Sequence, residues 1–339
     1  MVTTGQDAPD RIGTEAEASP ARPSLAGHLR ILRLDHWFKN VFVVPGIVLA
    51  WFFYGSELDA GTLVWRIPAG LLSVSLIASS NYVINEVLDA PFDRLHPTKR
   101  LRPVPSGRVS IHLAYAQWVA VGVVGLALAA PLGLRFFLCA AWLLAMGLFY
   151  NVQPFRLKDV VFLDVVIESV NNPIRLLAGW YLAVPEADTP PLSLILSYWM
   201  IGCYFMALKR FAEYRAIDNG EVAASYRPPF ARYTADLLLV SAMGYGSAAM
   251  LLFGAFAVRY RIELLLGFPV VALVMAIYLR IALRDDSPAQ APERLYREPL
   301  LVAACALCAV VLTLLLAFDL PWLTDAIDPD FPTTGTIDE

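Results

Sequence analysis

Charge is what this sequence has least of. Asp, Glu, Lys and Arg make up only 17% of its 339 residues, where a water-soluble domain carries about a quarter. That shortage excludes an ordinary soluble globular protein. Cysteine and histidine are as sparse, at four each. Cys139, Cys203, Cys305 and Cys308 all fall inside apolar stretches, where a small hydrophobic role suits them. No second pair and no nearby His accompanies the Cys305–Cys308 spacing, so a metal or redox motif there has no support. Of the histidines, His96 stands between Arg94 and Lys99 and could meet a phosphate; His28, His36 and His112 have no matched partner.

What is abundant is apolar: 58% of the residues are hydrophobic and the mean hydropathy is +0.58. A bilayer core about 30 Å thick takes about 20 residues of helix. With their flanks, the apolar stretches give nine expected spans, at residues 40–56, 66–89, 109–131, 134–151, 160–184, 190–208, 235–258, 262–283 and 299–318. The fifth carries Asp164, Glu168 and Arg175, so it must face protein or water rather than lipid. The net charge of −4 hides a segregation: of the 26 Lys and Arg, 20 lie before span one or in the loops after spans two, four, six and eight. The positive-inside rule then puts the N-terminus in the cytoplasm and the C-terminus outside, in a multi-pass protein of the cell membrane. Residues 1–27 are expected as a disordered cytoplasmic tail, 28–323 as a transmembrane catalytic domain and 324–339 as a disordered acidic tail.

Two spans carry polar ridges. Asn81, Asn85, Asp89 and Asp93 recur every fourth residue at the end of span two, and side chains four apart share one helical face. Pro91 should loosen that helix end, leaving Asp93 on a bent or frayed segment. In span five, Asp164, Glu168 and Asn172 repeat the spacing, with Arg175 close to the same face and Pro173 after the acids. One intramembrane acid would be read as a helix-pinning ion pair. Two matched ridges with one nearby Arg are undercharged, and hard oxygen ligands in excess ask for a hard cation, for which Mg²⁺ fits. The candidate metal ligands are Asn85, Asp89, Asp93, Asp164 and Glu168, with the four carboxylates as the catalytic set. Lys39, Arg94, Lys99, Arg100, Arg102, Lys158, Lys209 and Arg210 cluster on the same cytoplasmic side. Acid ridges facing basic loops describe a metal–diphosphate clamp, with Arg making bidentate contacts to phosphate oxygens.

These residues resemble a known family. Asn85-x-x-x-Asp89-x-x-x-Asp93 is similar to the first aspartate-rich motif of the UbiA family of intramembrane prenyltransferases, and Asp164-x-x-x-Glu168 to a version of the second. The likeness covers about residues 28–318. Within the family, LRLDHWFKN, YVINEVLDAPFDRLHPTKRLRPVPSG, MALKRFAEYRAI and YRPPFARYT are most similar to the decaprenyl-phosphate phosphoribosyltransferase-like branch, although Glu86 stands where that branch usually has Asp. YNVQPFRLKD is closer to aromatic-acceptor prenyltransferases. The resemblance implies an all-α bundle of nine membrane helices with a cytoplasmic-side, Mg²⁺-dependent active site.

In either reaction a diphosphate leaves an electrophilic carbon, and metal held by the carboxylates, with Lys and Arg on the outer oxygens, stabilises the departing charge. The partners differ. A polyprenyl phosphate attacking phosphoribosyl diphosphate brings further negative charge, which Lys39, Arg100, Arg102, Lys158, Arg175, Lys209 and Arg210 could meet; a polyprenyl diphosphate with an aromatic acceptor needs an apolar slot instead. The cation surplus favours the first. Asn85, Arg94, Lys99 and Asn172 complete the candidate substrate contacts. Trp37, Phe38, Trp142, Phe149, Trp180 and Tyr204 could line a groove for the lipid tail. A membrane lipid and a small phosphorylated or aromatic co-substrate are thus the expected partners, with no nucleic acid. A transporter using its acids for Na⁺ or H⁺ is the alternative of another class.

Overall fold

A computed structural model of the chain describes residues 22–55, 60–94, 99–217 and 227–327. His96 lies outside them, and so do most of both expected tails. Within the tail boundaries drawn above, Leu25–Arg30 and Pro321–Ile327 are helical at their inner edges.

All the described regular structure is helical. We number the helices α1 (Leu25–Arg30), α2 (Val44–Tyr54), α3 (Ala60–Asp93), α4 (Ile111–Ala129), α5 (Leu134–Asn151), α6 (Leu163–Ser169), α7 (Asn171–Ala183), α8 (Leu192–Arg215), α9 (Ala235–Tyr260), α10 (Phe268–Ala282), α11 (Pro299–Ala317) and α12 (Pro321–Ile327). A 3₁₀ segment, Leu34–Val43, joins α1 to α2. Among the described residues, eight helical stretches are long and apolar enough to cross a membrane. The expected fifth span is not among them, because it breaks after Ser169 into α6 and α7. Pro173 falls in the first turn of α7, where its missing N–H leaves no hydrogen bond unmade. α3, by contrast, runs through Pro91 without a break and ends at Asp93, which is buried. Next to a helix end a proline has little ladder left to disrupt, so the expected fraying does not occur.

The packing is close where glycines allow it. α2 crosses α7 at Gly46 and Gly179: a Cβ at Gly46 would stand 2.0 Å from Leu176 O of α7, and one at Gly179 2.0 Å from Val43 O at the end of the 3₁₀ segment. α4 and α5 lie along α3, and α8 along α9. Burial sorts into a core between α2, α3, α5 and α7, a second between α8, α9 and α10, and a small third under the end of α3. At one end of the bundle Arg66 donates to the carbonyls of Leu132 and Leu182. At the other, the C-terminal ends of α3, α5 and α8 converge with α6, and the charged residues collect there.

Candidate active site

The first ridge faces α5. Asn81 donates to Leu143 O at 2.8 Å, and Asn85 donates to Asn151 Oδ1 at 2.6 Å and to Asp89 Oδ2 at 3.2 Å. Asp89 Oδ1 accepts from Lys158 Nζ at 2.5 Å and from Arg156 Nη2 at 3.1 Å. Lys158 also donates to Asn151 Oδ1 at 3.0 Å. Asp93 Oδ2 accepts from Arg102 Nη1 at 2.6 Å. Glu86 lies on a different face: its carboxylate is buried and accepts from the Val104 N–H at 3.0 Å, fastening the loop after α3 to the helix.

The second ridge faces α8. Asp164 is wholly buried: Oδ1 accepts from Tyr233 Oη at 2.6 Å, Oδ2 accepts from Arg210 Nε at 3.0 Å, and Arg227 Nη2 forms an ion pair with Oδ2 at 3.4 Å. Glu168 Oε2 accepts from Arg210 Nη2 at 2.5 Å and from Tyr150 Oη at 2.8 Å. The same guanidinium reaches Glu213 at 2.7 Å, so Arg210 serves three carboxylates. Lys209 stands 4.0 Å from Glu213. Tyr150 and Asn151 are neighbours at the end of α5; Tyr150 bonds the second ridge and Asn151 the first, which ties the two ridges into one site.

The acids are therefore not undercharged: every one of the four carries a cation, mostly from loops outside the two spans. Arg175, read from spacing as their companion, touches none of them. It donates to Asn40 Oδ1 and Asn171 O, each at 3.2 Å. Arg94 and Arg100 stay exposed and make no ion pair among the described residues. Asn172 packs against Gly202 of α8. Of the candidate groove aromatics, Trp180 is buried among Phe53 and Tyr54 and Tyr204 bonds Met275 O, whereas Trp142 and Phe149 face outward. Tyr150, Asn151, Arg156, Arg227 and Tyr233 were not singled out by sequence reasoning. Arg156 and Lys158 flank one residue in YNVQPFRLKD, and that pairing was the available signal.

Burial governs the loop groups. It pushes Lys99 down to about 7, against the pull of Glu213 and Asp93. Burial also lowers Lys158, opposed by the Asp89 carboxylate, and it raises the Tyr233 phenol, assisted by Asp164.

The donor set can be tested against a divalent ion. Among the described residues no three of His, Cys, Asp and Glu already converge as a ready-made cage. Asp89, Asp93 and Glu168 each use one oxygen on a cation, leaving Asp89 Oδ2, Asp93 Oδ1 and Glu168 Oε1 clear of any cation among the described residues. Mg²⁺ suits such a set, since it binds through few carboxylates and completes its shell with water and phosphate. Asp164 has both oxygens taken and no exposure; its fit is to Arg210, not to a metal.

A bundle of membrane-length helices, with carboxylates and guanidinium groups gathered where α3, α5, α6 and α8 meet, defines an integral membrane protein with a densely charged site at one end of the bundle. The UbiA prenyltransferase family model matches residues 41–300. The chain belongs to that family and is a prenyl-transferring enzyme. It is 32% identical over 225 residues to the decaprenyl-phosphate phosphoribosyltransferase of Mycolicibacterium smegmatis, covering 65% of this chain and 67% of that protein. With the enzyme of the same name from Mycobacterium tuberculosis it shares 31% over 242 residues, 70% and 76% of the two chains. Its fold matches a solved UbiA homologue from Archaeoglobus fulgidus, described as bound to GPP and Mg²⁺, with a TM-score of 0.64 and 21% identity over 86% of this chain and all of that one.

Proposed function

We propose that this UbiA-family enzyme moves the phosphoribosyl group of 5-phosphoribosyl diphosphate onto a polyprenyl phosphate in a Mg²⁺-dependent reaction. One observation carries the clamp: three carboxylates, each with one oxygen on a Lys or Arg and the other on no cation among the described residues, ringed by Arg102, Arg156, Lys158 and Arg210. The choice of substrates is supported by the relatives described above as decaprenyl-phosphate phosphoribosyltransferases.

Asp89, Asp93 and Glu168 would hold the metal, with Asn85 steadying Asp89. Bound there, Mg²⁺ supplies positive charge to the diphosphate as it departs. Lys158, Arg156 and Arg102 release part of their hold on the acids and donate to the diphosphate oxygens, joined by Lys99 and Lys209. Asp164 keeps Arg210 aimed, so the guanidinium meets developing charge without reorganising. As the C1–oxygen bond to diphosphate breaks, its electron pair leaves with the diphosphate and the ribose gains oxocarbenium character. A phosphate oxygen of the lipid then forms the new bond at C1. In the membrane the broken pair α6–α7 makes the fifth of nine crossings, with the N-terminus and the site on the cytoplasmic side, as the distribution of Lys and Arg supports.

The second reading is prenyl transfer from a prenyl diphosphate to an aromatic acceptor; the A. fulgidus homologue, described with GPP, favours it. One assay separates the two. Purified protein is given Mg²⁺ and either phosphoribosyl diphosphate with polyprenyl phosphate, or prenyl diphosphate with an aromatic acid. A new glycolipid from the first pair alone is the expected result; product from the second pair alone overturns it.

A further inference from the structure

The carboxylate site uses up its own cations, yet other cations near it are left without an acid. The 3₁₀ segment Leu34–Val43 repeats every three residues, so positions three apart share an edge. Trp37 and Asn40 face α3, with Trp37 Nε1 donating to Ser79 Oγ at 2.9 Å and Asn40 Nδ2 to Ser75 Oγ at 2.6 Å. That anchorage presents Arg33, His36 and Lys39 together around the Tyr82 ring of α3. The Arg33 guanidinium carbon is 5.7 Å from the ring centroid, Lys39 Nζ is 5.9 Å away, and the His36 ring packs edge-on at 5.2 Å. Asn40 in turn accepts from Arg175, which is buried.

Among the described residues, Arg33, Lys39 and Arg175 form no ion pair. A buried guanidinium held only by neutral groups is costly unless a counter-charge arrives. His36 repeats the message. Its ring is 4% exposed, neither nitrogen has a hydrogen-bond partner, and the one acid near it, Asp35, is 3.5 Å from Nε2 and points into solvent. Two cations without an ion pair over the Tyr82 ring, beside a buried imidazole whose nitrogens make no hydrogen bond, form a site short of an anion.

We infer that Arg33, His36, Lys39, Tyr82 and Arg175 form a second anion site, separate from the metal–diphosphate clamp, that binds a phosphate monoester. Three unpaired cations and an imidazole N–H match a dianion better than the single charge of a phosphodiester. Naming the ligand as the phosphate of the acceptor lipid rests on the phosphoribosyl-transfer reading; the site itself does not. Arg102 pairs with Asp93 and also bears on His36, which puts the two sites side by side, as a nucleophile and its leaving group require.

The test is a binding measurement on the purified full chain in detergent, with farnesyl phosphate as the probe in the presence of EDTA. His36→Phe keeps the ring that packs on Tyr82 and removes only unpartnered nitrogens, so the thermal midpoint should hold or rise. Farnesyl phosphate affinity should nonetheless drop at least tenfold, and further in Lys39→Gln. Binding of inorganic diphosphate with Mg²⁺ should stay within twofold in both. Unchanged farnesyl phosphate binding in both variants, or equal loss of both ligands, overturns the site. Inorganic phosphate binding as tightly as farnesyl phosphate overturns the lipid as source, as does phosphatidylglycerol competing as well as the monoester. If the monoester binds as expected but no glycolipid forms with phosphoribosyl diphosphate, the transfer reading fails and the site stands. Glycolipid formation with intact binding in both variants means the reverse.

Discussion

The two acid ridges share a spacing and differ in almost everything else. On α3, Asp89 and Asp93 hang from the end of a helix of 34 residues, Asp89 holding Lys158 and Arg156 at one oxygen and Asp93 holding Arg102 at one. On α6, a helix of seven residues, Asp164 is enclosed by Tyr233, Arg210 and Arg227, and only Glu168 keeps an oxygen clear. Four-residue spacing fixes which face a side chain takes. It does not fix depth, and depth decides whether a carboxylate can exchange a protein cation for a metal ion. Each ridge pairs one part-exposed acid, Asp89 or Glu168, with one buried acid, Asp93 or Asp164, and Asp164 alone has both oxygens engaged by cations or a phenol among the described residues.

That contrast breaks most visibly at its extremes. Asp89→Ala removes a part-exposed acid whose partners keep other acceptors, Lys158 on Asn151 Oδ1 and Arg156 on Asp159, so the protein should fold and turnover should drop about a thousandfold or more, as loss of several kcal/mol of charge stabilisation demands. Product formation in detergent, alongside an unchanged elution profile, checks it. Asp164→Ala should behave in the opposite way: it removes the wholly buried carboxylate that Arg210 and Arg227 share, and costs about 3–5 kcal/mol of stability. A thermal melt of the purified variant reads this directly. Tyr233→Phe, which removes one hydrogen bond to the same carboxylate, should cost about 1–2 kcal/mol. Normal stability in Asp164→Ala with selective loss of Mg²⁺ dependence would erase the difference between the ridges.

The ridges themselves were legible because helical periodicity is local. Their partners were not, because Lys158 meets Asp89 across 69 positions and Tyr233 meets Asp164 across the same separation. Counting the cations nearest in sequence therefore credits Arg175 and misses Arg227. The break of the fifth span was half visible in Asn171, Asn172 and Pro173: the proline marks a first turn, but the absence of a single span-length helix follows only from α6 turning to meet α8. His36 was hidden for a different reason. The expected span began at Asn40, so the 3₁₀ turn before it, which brings Arg33, His36 and Lys39 to one edge, lay outside the periodic pattern.

Lys99 sharpens the comparison on a smaller scale, since it feels acids of both regions, Asp93 and Glu213. Its folded pKa of about 7 rises when a diphosphate binds beside it, because the anion favours the ammonium. Affinity is therefore full below pH 7 and declines as pH rises above it, approaching tenfold per unit until the pKa of the complex is reached. Lys99→Arg, charged throughout, should flatten the profile measured by diphosphate binding between pH 6.5 and 9.

The smallest effect is expected at Glu86, which sits one residue from Asn85 and could be mistaken for part of the ridge. Its carboxylate spends itself on the Val104 N–H, and an amide oxygen can accept that bond as well as a carboxylate oxygen can. Glu86→Gln should thus change stability by less than about 1 kcal/mol and turnover by no more than about twofold. The Mg²⁺ concentration for half-maximal rate is the sharper readout: a ligand replaced by an amide weakens the metal, whereas a loop anchor replaced by an isostere leaves it alone. If Glu86→Gln shifts that midpoint as Asp89→Asn does, the face of α3 that binds metal is wider than the four-residue ridge, and the clamp extends to the side of the helix that carries Val104.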